Sequence, residues 1–388
     1  MKKVFLSFIL LAVSVVLAAQ DDFHKPKPEF GFDFLYHFDN REFDYPNGKY
    51  MKSWTIFSVV GTPSVGFSIQ QGENTFHRVN AGIDIRRDMG DDAGVLDSFG
   101  EMLLHYDMHT SFDNGGRLEA VVGVFPREYM EGEYGEVFFT DSLLFYDRNL
   151  DGAILKYMTP RFYTEIGADW MGKFGQTRKE RFHIFTAGDW IATKWMKLGW
   201  AATLYHYAGS VIAPGVVDNH TMQVYMELDG AKYLGIQECS IKLSPLIAYQ
   251  RDRIRDDKPI IPMGGEMVFT ARHWNLWFQN TTYVGENLMP YYYRNDSGGA
   301  QYGPNLYMGS PFYRAFYNLC EFYWEPRLTD YLRFRVSTRF HFDSGGFMGS
   351  QQKMSLLLNL DACRNPHRAS GRIGMDPKNG VFRSSYML

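Results

Sequence analysis

Hydrophobic and polar residues alternate without a break along residues 331–343, which read YLRFRVSTRFHFD. The even positions are Leu, Phe, Val, Thr, Phe and Phe, whereas the odd positions include Arg333, Arg335, Arg339 and His341. Successive side chains of a strand point to opposite faces, so one face of this segment is apolar and the other is charged. The pattern predicts a strand that separates an apolar environment from water.

The same alternation recurs along most of the chain. Seven further segments keep one register free of charge, namely 30–39, 78–86, 101–109, 117–124, 162–170, 221–229 and 353–361. Weaker strand candidates lie near 50–60, 64–70, 136–146, 152–158, 181–190, 196–207, 236–249, 265–273, 274–284 and 312–324. No helical stretch separates these segments and the composition does not change between them, so the sequence predicts an all-β fold in a single unit.

The connections between the predicted strands are of two kinds. Short proline-bearing turns are predicted at 61–63, 159–160 and 325–327, and long connections rich in Gly, Asn, Tyr and Pro at 250–264 and 285–311. Short turns at one rim and long loops at the other are typical of an outer-membrane barrel.

The N-terminus predicts export. Residues 1–19 combine two lysines, an apolar run and two terminal alanines, which is the pattern of a secretory signal peptide. Removing its two lysines changes 40 basic against 44 acidic residues to 38 against 44, a net charge of −6. That balance does not favour a nucleic-acid partner. No later stretch is long and apolar enough for a transmembrane helix.

The chain resembles the porin-like β-barrels of Gram-negative outer membranes. The resemblance rests on the signal peptide, on strands of about ten residues with one uncharged face, and on aromatic residues near strand ends. Examples are Tyr36, Phe38, Trp170, Trp190, Phe340 and Phe342. The resemblance implies a closed antiparallel transmembrane β-barrel of 16 or 18 strands over residues 20–361, in contact with outer-membrane lipid and lipopolysaccharide. Residues 362–388 are either the closing strand or a periplasmic tail, and a homo-oligomer is left open.

The inward register supplies the candidate channel-lining residues. They are Arg333, Arg335, Arg339, His341, Arg78, Arg86, Asp84, Glu101, Asp107, Arg117, Glu119, Glu165 and Asp169. Three arginines in line repel one another, so they require carboxylates across the lumen or a passing anion. We therefore expect passive or weakly selective diffusion of small polar or anionic solutes, with a filled barrel as the alternative. The net charge favours cations, whereas the arginine face favours anions.

Residues 127–151 begin with a run of glutamates and continue into an apolar stretch. They are predicted to form either a constriction loop inside the barrel or, over 137–146, another wall strand. This choice decides between 16 and 18 strands.

Two other classes of protein are weaker alternatives. His109 and Ser111 resemble the His-x-Ser pair of outer-membrane phospholipase barrels, but both fall in the polar register and FDN separates them from the following Gly-rich stretch. A secreted glycan-binding β-protein would account for the tyrosines at 291–293. The three cysteines and the dispersed histidines have no metal-binding spacing, so we predict no metal and no cofactor.

Overall fold

The structure is a computed structural model that describes residues 23–43, 51–90, 99–212, 214–254, 258–292, 307–326, 328–329 and 331–360. The predicted signal peptide (1–19) and the segment 362–388 lie outside the described residues. Their assignments stay predictions.

Sixteen antiparallel strands form one closed barrel, in which each strand pairs with its neighbours in the chain and the last pairs with the first. The strands are β1 (Lys27–Phe43), β2 (Trp54–Gln71), β3 (Thr75–Asp88), β4 (Phe99–Ser111), β5 (Arg117–Pro126), β6 (Asn149–Met158), β7 (Phe162–Gly172), β8 (Arg181–Thr193), β9 (Met196–Ala208), β10 (Val216–Asp229), β11 (Glu238–Asp252), β12 (Met263–His273), β13 (Leu276–Gly285), β14 (Ala315–Trp324), β15 (Leu332–Asp343) and β16 (Gly346–Asn359). The predicted all-β barrel is confirmed, with the lower of the two expected strand numbers.

Two short helices accompany the strands, α1 (Asp141–Tyr146) and α2 (Ala231–Leu234), together with a 3-10 turn at Arg127–Tyr129. Among the described residues, no helix is long and apolar enough to cross a membrane.

The two faces of the wall differ as the alternation predicts. In β15, Ser337, Arg339 and His341 are buried inside the barrel, whereas Val336 is 40% exposed on the outside. Outward apolar side chains are similarly exposed on other strands, for example Met102 at 69%. Tryptophans and a phenylalanine lie outside near the strand ends, namely Trp190, Trp195, Trp274 and Trp324 at the short-turn rim and Trp54, Trp170 and Phe347 at the other. An apolar band between two aromatic girdles is the surface that a bilayer requires.

The ring closes where β1 pairs with β16, in a register that places Tyr36 opposite Leu356. Every strand edge is therefore paired within the described part of the chain. The apolar interior of a bilayer requires this, because it offers no water to backbone groups that lack a partner.

The two rims are asymmetric. The connections at 72–74, 112–116, 159–161, 194–195 and 274–275 are short and share one rim, whereas 127–148 and 286–314 are long and share the other. One short connection, 344–345, also lies at the long-loop rim.

One predicted connection is wrong, and one choice that the sequence left open is decided. Residues 61–63 lie inside β2, where Pro63 faces outward and the pairing with β3 is interrupted because proline lacks the N–H donor. Residues 136–146 form no wall strand, since the β5–β6 connection runs inside the barrel and ends in α1.

The buried core is the barrel interior. It holds apolar residues of two connections, which we name the first inserted segment (127–148) and the second inserted segment (286–314, described over 286–292 and 307–314). Phe138, Phe139, Leu288 and Phe312 are each at most 4% exposed. From Leu288 onward the described residues of the second segment are buried or half-buried, whereas Glu286 and Asn287 are exposed.

Candidate functional site

The first inserted segment enters the lumen at the 3-10 turn Arg127–Tyr129 and leaves it after α1. The hydroxyl of Thr140 accepts a hydrogen bond from the Leu143 amide at 3.2 Å and so caps the helix. At the far end Phe145 stacks on His37 of β1, with ring centroids 4.6 Å apart. The segment therefore crosses the interior from β5 to the wall at β1.

Three buried cations of the wall bind this segment in the same way. Each contacts one carboxylate of the neighbouring strand and at least one of the inserted segment. Lys156 of β6 lies 2.9 Å from Glu119 and 2.8 Å from Glu131. We call this arrangement a cation bridge.

The second cation bridge is centred on Lys197 of β9. Its ammonium lies 2.7 Å from Glu227 of β10 and also pairs with Glu133 of the inserted segment. Lys242 of β11 approaches the same Glu133 at 3.7 Å. The side chain of Lys197 is fully buried, so its charge depends on these carboxylates.

The third cation bridge is centred on Arg339 of β15. Its guanidinium lies 3.2 Å from Glu321 of β14 and 2.8 Å from Glu136, and it also pairs with Asp141 of α1. Lys353 of β16 contacts the same Asp141 at 2.9 Å. The bridges thus attach the segment to three separate parts of the wall.

Polar contacts of other kinds fix the start of the segment. Arg127 pairs with Asp169 of β7 at 3.0 Å, and Glu165 of β7 accepts hydrogen bonds from the amides of Glu131 and Gly132 at 2.9 and 3.1 Å. A side chain on Gly132 would overlap the Cβ of Ala187, so the segment lies directly against the wall here.

The second inserted segment packs on the first. The Ser310 amide donates to the Glu136 carbonyl at 2.7 Å, and the Thr140 amide donates to the Met308 carbonyl at 2.8 Å. A Cβ on Gly309 would lie 1.9 Å from the Val137 carbonyl oxygen, so this approach requires glycine. The two segments form one body inside the barrel.

A cavity of about 80 Å³ remains between α1 and the wall. It is lined by Leu35, His37, Pro126, Arg127, Glu128, Asp141, Leu144, Phe145, Arg148, Lys353, Ser355 and Leu357. Its wall side belongs to β1 and β16, and its opposite side to the first inserted segment. The Nη1 atom of Arg127 is buried and has no hydrogen-bond partner among the described residues. The lining of the cavity therefore includes both apolar and charged side chains.

Two carboxyl groups of the inserted segment have shifted pKa values. Burial raises the pKa of Glu136 to about 7, although the Arg339 guanidinium opposes the shift. Burial also favours the protonated form of Asp141, but Arg339 and Lys353 outweigh it and lower the pKa of that group. Glu136 is thus the group at this site that titrates near neutral pH.

The three arginines of β15 do not act together. Arg339 is buried in its cation bridge, whereas Arg335 is half-buried, donates to Glu325 at 2.6 Å and lies 4.6 Å from the centroid of Tyr323. Arg333 is exposed near the strand end. Glu325, an ion-pair partner of Arg335, belongs to a turn, and the partners of Arg339 include Glu321 of the adjacent strand and Glu136 of the inserted segment.

The other predicted lining residues also face inward, and most of them form hydrogen bonds, ion pairs or ring contacts with neighbouring side chains. Arg78 donates to Asp107 at 2.6 Å, Asn149 donates to Glu101 at 2.6 Å, and Arg148 lies 3.3 Å from Asp84. Arg117 lies 3.5 Å from Glu119, Arg86 covers the ring of Tyr146, and His341 contacts Tyr317 and Gln351. Whether any of them borders a water path stays a prediction.

The sequence analysis did not identify the central lysines of the first two cation bridges. Lys156 and Lys197 are single cations in an inward register, so nothing in the alternation distinguishes them from solvated lysines. The signal for their partners was present, since Glu131, Glu133 and Glu136 belong to the glutamate run of the inserted segment.

The described residues form neither a histidine–serine catalytic pair nor a metal site. His109 stacks on Phe76, with centroids 4.7 Å apart, and no hydrogen bond joins it to the exposed Ser111. No three His, Cys, Asp or Glu side chains of the described residues converge as a metal site. Cys239 and Cys320 are free thiols, and Cys363 lies outside the described residues.

A closed sixteen-strand ring, an apolar outer band and a polar, segment-filled interior define a transmembrane β-barrel of the outer-membrane type.

No family model and no curated protein matches the sequence. Among solved structures, the chain is similar to the outer membrane protein OpdK of Pseudomonas aeruginosa, with 10% identity, a TM-score of 0.47 and coverage of 86% of this chain and 98% of that one. It is also similar to OmpT, an outer membrane protein of Vibrio cholerae, with 9% identity, a TM-score of 0.49 and coverage of 86% and 97%. A third is OprB of Pseudomonas putida, with 9% identity, a TM-score of 0.46 and coverage of 86% and 94%.

Proposed function

We propose that the chain is a porin-like channel of the outer membrane for passive, weakly selective diffusion of small polar or anionic solutes. The observation that carries the proposal is the cavity between α1 and the wall of β1 and β16, inside the barrel. Solutes would pass along this side of the first inserted segment.

The charges of the cavity support weak selectivity. Its lining carries three cations, Arg127, Arg148 and Lys353, and two carboxylates, Glu128 and Asp141. Fixed charges in a narrow passage attract counter-ions, but mixed signs at short range largely cancel. Small neutral or anionic solutes fit this lining better than cations do.

The non-enzymatic role is part of the same proposal. The packing of His109 on Phe76 and the absence of a hydrogen bond to Ser111 among the described residues leave the serine without a base.

The test is conductance with a cysteine at the cavity. Purified protein in a planar bilayer should conduct, and a charged thiol reagent should block Ser355→Cys. Leu356→Cys is the matched control, because Leu356 is adjacent in the chain and faces outward. Wild-type protein treated with the same reagent accounts for the native cysteines.

The second candidate is a filled barrel without a channel, which the packing of the two inserted segments favours. Folded protein that never conducts would support that alternative and exclude the channel. Conductance that labelling of Ser355→Cys leaves unchanged would place the passage elsewhere in the lumen.

A further inference from the structure

The two ends of the first inserted segment meet beside the cavity between α1 and the wall. The Arg127 amide donates to the Arg148 carbonyl at 2.7 Å, and the strands that the segment joins pair as far as Pro126 opposite Asn149. Glu128 follows one partner of this contact and Arg148 is the other, and both side chains line the cavity. A negative and a positive side chain are therefore neighbours on one side of the cavity.

These two side chains are not committed to strong contacts within the protein. The carboxylate of Glu128 is exposed, and no hydrogen bond or ion pair joins it to another residue of the described part of the chain. Arg148 lies 3.3 Å from Asp84, and its side chain is still 20% exposed. Both charges are therefore available to a ligand in the cavity.

The other charges of the lining have closer partners. Arg127 pairs with Asp169 at 3.0 Å. Lys353 pairs with Asp141 at 2.9 Å, and Arg339 neutralises the same carboxylate. A ligand that took one of these groups would have to break a buried ion pair, which is costly. Glu128 and Arg148 are thus the charges of the lining that can bind a ligand at least cost.

Apolar surface lies on both sides of the same cavity. Leu144 and Phe145 of α1 line one side, and Leu35 of β1 and Leu357 of β16 line the other. Leu35 and Phe145 belong to one buried apolar cluster, against which Leu357 packs. An apolar group of a ligand would leave water for this surface, which is favourable.

The size of the cavity limits the ligand. Its volume is about 80 Å³. By the same measure a single water requires about 10–15 Å³, so there is room for a molecule several times that size. The neutral polar groups of the wall, His37 and Ser355, already hydrogen-bond to each other at 3.0 Å. A fitting ligand is therefore small, with a charged head and an apolar part.

We propose that the solute of this cavity is a small α-amino acid with an apolar side chain. Its ammonium binds Glu128, its carboxylate binds Arg148, and its side chain lies against Leu144 and Phe145. An α-amino acid carries both charges on one carbon, so two neighbouring side chains of opposite sign bind both through charge-assisted hydrogen bonds. A simple anion or cation would use only one of them. The inference rests on the proposed passage along this cavity and names its solute.

Three solutes that share one apolar side chain test the two charges. Leucine has the ammonium and the carboxylate, isocaproate lacks the ammonium, and isopentylamine lacks the carboxylate. Calorimetric titration of detergent-folded protein near neutral pH should show severalfold tighter binding of leucine than of either analogue. Glycine should bind more weakly than leucine, because it has no side chain to meet the apolar surface.

Two variants assign the charges to their residues. Glu128→Gln should weaken leucine binding severalfold and leave isocaproate binding unchanged, because isocaproate has no ammonium. Arg148→Gln should weaken leucine binding and leave isopentylamine binding unchanged, because that amine has no carboxylate. Glu73→Gln is the matched control and should bind leucine as the wild type does, since Glu73 is exposed in the turn 72–74 at the opposite rim. The unheated gel mobility of each variant shows that its barrel is folded.

Conductance in a planar bilayer separates this inference from the proposed function. Conductance without leucine binding would overturn the amino-acid site and leave the channel standing. Leucine binding without conductance would exclude the channel and retain the site. Equal affinities for leucine, isocaproate and isopentylamine would overturn the role of both charges, as would leucine binding that neither variant changes.

Discussion

Lys197 illustrates how strongly single residues determine the interior. Its ammonium is fully buried and is neutralised by Glu133 and Glu227. Removing one partner of a buried pair leaves an uncompensated charge, which commonly costs about 3–5 kcal/mol. The alternation identifies Lys197 as inward but says nothing about its partners, because these depend on the path of a connection.

We expect Lys197→Met to destabilise the folded barrel by about that amount, because Glu133 and Glu227 would then face each other with only the more distant Lys242, 3.7 Å from Glu133, to offset their charges. Urea unfolding of detergent-folded protein measures the effect. Lys194→Met is the matched control, since Lys194 is exposed in the adjacent turn. Adding Glu133→Gln and Glu227→Gln should restore most of the loss, and no recovery would mean that Lys197 contributes packing rather than charge.

Glu136 predicts a pH dependence. Its pKa in the folded chain is about 7, above its ordinary value of 4.5, so between these values the folded state binds more protons than the unfolded state. The contribution of Glu136 to the free energy of unfolding is therefore fully present below pH 4.5 and is lost as the pH rises through about 7, its pKa in the folded chain. Around it lie Arg339 of β15, Asp141 of α1, Glu321 of β14 and Lys353 of β16.

The expected result is a barrel that resists urea better at about pH 5 than at about pH 8. Glu136→Gln should reduce this difference, because the amide does not titrate. The depressed pKa of Asp141 acts only in more acidic solution, since its stabilising charge is present above its ordinary pKa. An equal pH dependence in both proteins would assign the effect to another group.

At the scale of elements, the wall strands were predictable and the inserted segments were not. Alternation identifies a strand because one face meets lipid and the other meets polar groups. Residues 137–146 are apolar for a different reason, since they pack on apolar side chains inside the barrel. Hydrophobicity does not distinguish lipid from a filled lumen, so the sequence left 127–151 open. Pro63 led to the opposite error, a turn predicted where the chain forms a strand. A strand tolerates proline where its pairing with the neighbouring strand is interrupted.

The contact between the two inserted segments gives a prediction of its own. We expect Gly309→Ala to push the second inserted segment away from Val137, because the added Cβ would overlap its carbonyl oxygen. The expected readout is faster proteolysis of folded protein and a changed conductance. Gly215→Ala is the matched control, since a Cβ there meets nothing within 4 Å. Equal behaviour of both variants would show that the two segments are not held together at this point.

At the scale of the whole molecule, the closed ring is the property that the sequence predicted best. Its physical basis is simple, because every open edge in hydrocarbon would leave backbone groups unpaired. The alternation locates the strands, and the unequal connections orient the two rims. What the sequence could not provide is the point of closure, since residues 362–388 were predicted to be either the closing strand or a periplasmic tail.

The register between β1 and β16 allows a test of whether residues 362–388 are needed to close the ring. These strands pair from Asp33 opposite Asn359 to Phe43 opposite Gly349, so the ring needs no residue beyond Asn359. A closed barrel resists detergent until it is heated, because its strands must separate together. A mature chain ending at Asp361, refolded in detergent, should therefore still migrate differently before and after boiling. A chain ending at Gly345 lacks β16 and should lose that difference, since β1 and β15 would each present an unpaired edge. Loss of the shift in the longer chain as well would mean that folding requires residues 362–388.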